Sequence, residues 1–221
     1  MSHTEPLQTI KSMLSDARLA TFEAAIHSPG PILPRALALY AWNAQISAAL
    51  LAPLHVCEVV IRNAVSDALA AVYGSQWPWE SVFENSLPSP KVGFNPRHEL
   101  VRARAREQST GKVIAELKMV FWQKMFTGRF DTRLWNDHLF SVLPHLDATK
   151  SVQELRRLIH GDLEQLRALR NRIAHHEPIF KRPLKDDFVK MQELIAFRCP
   201  TTSLWMANNQ QATSLMTAKP V

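Results

Sequence analysis

The chain has 221 residues, 46% of them hydrophobic and only 6 of them glycine, which suits one domain with a real core and excludes a disordered or low-complexity chain. A formal charge of +6 favours polyanionic partners, and two distant cysteines, Cys57 and Cys199, make neither a disulfide framework nor a zinc pattern. The opening Met1-Ser2-His3-Thr4-Glu5-Pro6 has no basic segment ahead of an apolar one. The longest apolar stretches meet Arg62, Lys118 or Lys124 before the roughly 18–20 residues of a membrane span, so a cytoplasmic location with no membrane is expected.

In chain order the pattern is helical almost throughout. Residues 7–27 predict a first helix with Leu14, Leu19, Phe22 and Ile26 on its apolar side, broken by Ser28-Pro29-Gly30-Pro31. A second helix spans 35–52. Pro53 then kinks or restarts it, because its ring clashes with the preceding turn. Leu54, Cys57, Ile61, Ala64, Val65, Ala68 and Val72 continue one stripe up to Gly74. Residues 75–96 hold four prolines among Trp77, Trp79, Phe83 and Phe94; so long a loop is either packed by its aromatics or functional. Helical pattern returns over 97–108, 112–127 and about 131–141. Its longest run is 150–175, with Val152, Leu155, Ile159, Leu166, Leu169 and Ile173 on one side. A last helix is expected at 184–197, and 200–221 reads as a loose tail. With no internal repeat and no strong strand, the fold class is an all-α bundle. It divides into an N-terminal helix (1–30), a helical domain (31–199) and the tail (200–221).

Charge is uneven. Residues 97–129 carry eight Lys or Arg, among them Arg97, Arg102, Arg104 and Arg106, against three acids. That stretch is either a solvated helix face or a nucleic-acid footprint. Trp122 and Trp135 are expected to pack between helices rather than stack on bases. His138 and His145 lack acids at ligand spacing, and Gly111-Lys112-Val113 lacks the upstream glycine of a phosphate loop. Neither a metal nor a cofactor is expected.

The chemistry concentrates in Leu169-Arg170-Asn171-Arg172-Ile173-Ala174-His175-His176-Glu177-Pro178-Ile179-Phe180. Pro178 disfavours helical geometry at Glu177, so the helix ends within a turn of His175. Arg and His are the pair needed to cut RNA without a metal: a cation for the phosphate and an imidazole to move protons. At about 100° per residue, Asn171 shares a face with His175, and Arg172 with His176. Arg170 lies about 140° from His175, so they meet only in a loosened last turn or across a dimer. The structural alternative is a helix end capped by His175, with both arginines in surface ion pairs. A second constellation is His55, Glu58, Arg62 and Asn63, in which Glu58 and Arg62 have the order of a favourable helical ion pair.

Arg170-Asn171-x-x-x-His175 matches the R-x(4–6)-H signature of HEPN domains, and the longer string resembles the Abi-like (abortive infection) branch of that superfamily. The resemblance extends over about 35–198, including Gly111 to Trp135. It implies an all-α bundle that forms a symmetric homodimer with two motifs in one cleft. It also implies a metal-independent endoribonuclease leaving a 2′,3′-cyclic phosphate, in phage defence or as the toxin of a toxin–antitoxin pair with an antitoxin protein as partner. Arg170 would hold the scissile phosphate, His175 would act as base or acid, and Asn171 would orient either. Arg172 and His176 would support them. Glu58, Arg62 and Asn63 resemble an early-helix pattern of that branch, and would either face the cleft or simply steady the bundle. The alternatives are a catalytically silent HEPN module that binds RNA or a protein, and a structural helical interaction protein.

Overall fold

The computed structural model describes residues 4–27 and 29–220, and every regular element among them is helical. Met1, Ser2 and His3 of the opening, and Ser28 of the Ser28–Pro31 break, lie outside the described residues. The axis of the molecule is one long helix, α3 (Ile32–Tyr73), whose 42 residues span roughly 60 Å. The stripe read from the sequence faces inward: Leu54, Cys57, Ile61, Ala64, Val65 and Ala68 are buried, though Val72 is exposed. Pro53 lies inside the helix and is itself buried, so neighbouring packing carries the helix past the missing N–H. Gly74 ends it at a φ of 83°, open to glycine without a Cβ clash.

Before α3 come α1 (Thr4–Leu14) and α2 (Asp16–Glu23) rather than one helix over 7–27. Ser15 turns the chain at a φ of 76°, and its hydroxyl accepts from the Arg18 amide, starting α2 afresh. After α3, Trp77–Trp79 forms a short 3-10 turn, followed by α4 (Ser81–Ser86), α5 (Pro96–Arg106), α6 (Thr110–Glu116) and α7 (Met119–Met125). Aromatics do pack the 75–96 segment: Trp77 and Phe83 are fully buried edge to face, and the Trp77 indole donates to Ser66 Oγ at 3.1 Å. The stretch 112–127 is two helices, parted at Leu117 and Lys118, whose backbones are extended. A 3-10 turn (Gly128–Phe130) and a π-helical piece (Asp131–Trp135) lead into α8 (Asn136–Val142). Trp122 and Trp135 are core residues, the latter stacked on Phe126 at 4.5 Å.

α9 (Val152–Ala174) and α10 (Leu184–Arg198) pack against α3, as do α2, α7 and α8. The C-terminal segment is not a loose tail. It forms α11 (Pro200–Asn208) and α12 (Ala212–Thr217), burying Met206 and Ala212. Trp42 donates its indole N–H to the Leu215 carbonyl at 2.7 Å, and Lys219 donates to the Phe180 carbonyl at 2.8 Å. Helices of nine and six residues are too short to show a period; these bonds hold the second of them, and Ser203, donating to the Gln192 carbonyl at 2.9 Å, holds the first. One core runs from Phe22 through α3 to Ala212, so α2 and α12 belong to the same body as the central helices.

α3 also corrects the reading of apolar stretches. No charged residue lies between Ala36 and Cys57, and the helix contains an 18-residue window long and apolar enough to cross a membrane. Only 33% of that window is buried, and α3 exposes Ala44, Ala48, Leu51 and Ala52 on its outer side.

Candidate functional site

α9 is fixed in rotation by Leu155, Ile159, Leu163, Leu166, Leu169 and Ile173, all buried. That places Arg170 and Ala174 outward. His175 caps the helix, and His176 follows in the left-handed region at a φ of 55°. The His176 amide donates to the Ile173 carbonyl at 3.0 Å and the Glu177 amide to the Arg172 carbonyl at 2.8 Å. This paired closure ordinarily uses glycine at the left-handed position, and an L side chain there costs on the order of 1–2 kcal/mol.

Several groups hold the strained turn in place. Arg172 donates through Nε and Nη2 to the Pro178 carbonyl, at 3.2 and 2.7 Å, and approaches Glu177 at 3.3 Å. From α2, Arg18 donates to the His176 carbonyl at 2.6 Å. The Ile179 amide donates at 2.8 Å to Oδ1 of Asn43, a buried side chain of α3. Phe180 then packs against Phe22, ring centroids 5.1 Å apart. Arg172 is therefore a clamp on the turn, its guanidinium already engaged.

An open cleft of about 510 Å³ lies between α3 and this helix end. Tyr40, Ser47 and Leu51 line one wall, and Arg170, Ile173 and His176 the other. Among the described residues, neither the Arg170 guanidinium nor the imidazoles of His175 and His176 have a hydrogen-bond or ion-pair partner. The structure thus brings Arg170 together with His176. His175 is exposed at the cap and Asn171 is half-buried, and neither lines the cleft. The sequence reading passed over Tyr40, Asn43 and Ser47. Their signal was polar side chains at spacings of three and four in an otherwise apolar helix.

Glu58, Arg62 and Asn63 stand apart from this cleft. From Leu51 on the cleft wall, Glu58 lies roughly 10 Å and Arg62 roughly 16 Å further along the α3 axis. The expected Glu58–Arg62 ion pair is absent among the described residues, and Arg62 Nε is buried without a partner. Burial first, then the charges of Glu58 and Asp162, push the Cys57 thiol up to about 12, so it stays an inert core thiol.

The basic stretch divides in two. Arg97 donates to the carbonyls of Asn85 (2.8 Å) and Leu87 (3.2 Å), and Arg104 to that of Pro78 (2.9 Å) while pairing with Glu84. Both bolt the 75–96 segment to α5. Arg102 and Arg106, exposed on α5, have no partner among the described residues. No group of three or more His, Cys, Asp and Glu side chains among the described residues is placed to hold a metal ion. Comparison with protein-family models, curated proteins and solved structures finds no match to the chain.

Proposed function

We propose that this all-α protein is a metal-independent endoribonuclease of the HEPN type, in its Abi-like branch. The observation that carries the reading is an unengaged Arg170 sharing one cleft with a strained His176. Arg170 grips two oxygens of the scissile phosphate through its planar fork. One histidine takes the proton of the ribose 2′-hydroxyl as its oxygen attacks phosphorus. The other gives a proton to the departing 5′-oxygen, leaving a 2′,3′-cyclic phosphate and a 5′-hydroxyl. His176 in the cleft and His175 beside it supply the two imidazoles. Asn171 orients the phosphate or His175.

A two-fold homodimer completes the reading. Ala44, Ala48 and Leu51, exposed on α3, line the cleft itself, so pairing along that side of α3 would join two clefts into one. In a cell such an enzyme would act on cytoplasmic RNA, in phage defence or as a toxin held by an antitoxin protein. One observation favours a second reading, a silent module that binds RNA or protein: Asn171 and His175 of the signature do not line the cleft.

The test is incubation with an RNA and its all-2′-deoxy counterpart in the presence of a chelator. Cleavage of the RNA alone, with 2′,3′-cyclic phosphate ends, is expected. RNA bound but uncut would leave the silent RNA-binding module, and RNA neither bound nor cut would overturn the nuclease and leave only a module that binds protein.

A further inference from the structure

A second cavity, of about 360 Å³, opens between the 87–96 segment and the end of α7, and shares no lining residue with the cleft at Arg170. Its floor is apolar: Leu87, Met125 and Phe130 are buried, and Phe94 is half-buried beside them. Its margin carries Lys124 and Arg129, both exposed, and no acid lines it. Among the described residues neither cation has an ion pair, although the Arg129 guanidinium sits 5.8 Å from the Phe130 ring centroid. Of the neighbouring cations, Lys118 pairs with Glu99 at 3.4 Å and Arg156 with Asp131 at 2.6 Å, while the exposed Arg133 does not line the cavity. Two free cations at the mouth of an aromatic-lined cavity ask for a ligand with a flat apolar part and an attached anion.

We propose that this cavity binds a nucleotide unit, its base on the floor beside Phe94 and Phe130 and its phosphate on Lys124 and Arg129. The size lies within the range of small-ligand pockets. Phenyl rings accept any base face by stacking, and arginine matches phosphate with two parallel hydrogen bonds. Thr127 Oγ1 spends its proton on the Lys124 carbonyl at 2.8 Å, which leaves its lone pairs for an exocyclic amine of the base. The unit could be a free mononucleotide or one nucleotide of an RNA strand running past Arg102 and Arg106. The site does not depend on cleavage at Arg170, and a silent module would use it equally.

Titration calorimetry on the full chain carrying Arg170→Ala removes any contribution from the other cleft. The ligands are the four ribonucleoside monophosphates, a short oligoribonucleotide, inorganic phosphate, a nucleoside and laurate. A monophosphate that binds identifies a free-nucleotide site, and binding of the oligonucleotide alone identifies a strand site. In either case, adding Lys124→Ala with Arg129→Ala should weaken binding about ten-fold or more, and so should Phe94→Ala. The first pair of changes leaves the core untouched, so it serves even where Phe94→Ala perturbs folding. Phosphate and nucleoside alone should bind far more weakly. Absence of nucleotide and oligonucleotide binding, binding indifferent to Lys124 and Arg129, or laurate binding in their place would each overturn the proposal.

Discussion

The two ends of α9 use similar residues in opposite ways. At the N-terminal end Ser151 and Glu154 form a reciprocal cap, the Ser151 amide donating to the Glu154 carboxylate at 2.9 Å. One turn on, Arg156 is buried against Asp131 at 2.6 Å and donates to the Phe126 carbonyl at 3.2 Å. At the C-terminal end a histidine occupies a glycine-type turn, and Arg170, His175 and His176 are left with side chains unengaged among the described residues. An arginine buried against a carboxylate contributes to the fold. Unengaged cations beside a strained residue are available to something outside the fold, and strain of this kind collects at functional sites.

The comparison breaks most visibly at the stable end. Arg156→Ala leaves Asp131 and the Phe126 carbonyl without their cation, and should lower unfolding free energy by about 3 kcal/mol in denaturant titration. A loss within experimental error would mean that the pair carries no stability. Ser151→Ala should cost about 1 kcal/mol by the same measurement. Hydrogen bonds from Ser151 hold the Glu154 carboxyl below the usual carboxylate range. A depressed folded-state value means that this contribution is present above the ordinary carboxylate range and fades as pH falls through the folded value. The deficit of Ser151→Ala should therefore shrink on acidification, and a deficit that grows would contradict the cap.

At the other end the sign reverses. His176→Gly should raise stability by up to about 1 kcal/mol, because glycine adopts the left-handed turn without strain. A destabilised glycine variant would show that the histidine side chain is part of the fold. The smallest effect belongs to Arg170→Lys and Arg170→Ala, each expected to shift stability by less than about 0.5 kcal/mol. Both should nonetheless damage RNA cleavage almost equally, since a lysine cannot grip two phosphate oxygens. Retained cleavage in the lysine variant would reduce Arg170 to a simple charge.

How much of this was legible in the sequence follows from the range of the forces involved. Local periodicity carried the all-α class, the core side of α9 and the segment beyond Pro178. It could not carry the short α11 or the docking of α12 and the residues after it, which bond to Trp42 and Phe180 more than thirty residues away. Nor could it show that α3 runs through Pro53, or that Ser15 splits the first helix within a continuous apolar stripe. Arg97 and Arg104 look like Arg102 and Arg106 in the chain, and only contacts with Asn85, Leu87, Pro78 and Glu84 separate the bolts from the free cations. The candidate site was visible as a motif. Its geometry was not, because no turn signature marks a histidine in a glycine position, and it is His176 rather than His175 that lines the cleft with Arg170.

The central claim is that the unengaged groups at the end of α9 cut RNA. It is tested most directly by the initial rate of RNA cleavage in Arg170→Ala, His175→Ala and His176→Ala chains, each matched to wild type by its melting curve. Each variant should melt like wild type and lose about a hundred-fold or more in rate. Wild-type rates in folded Arg170→Ala and His176→Ala chains would contradict the claim.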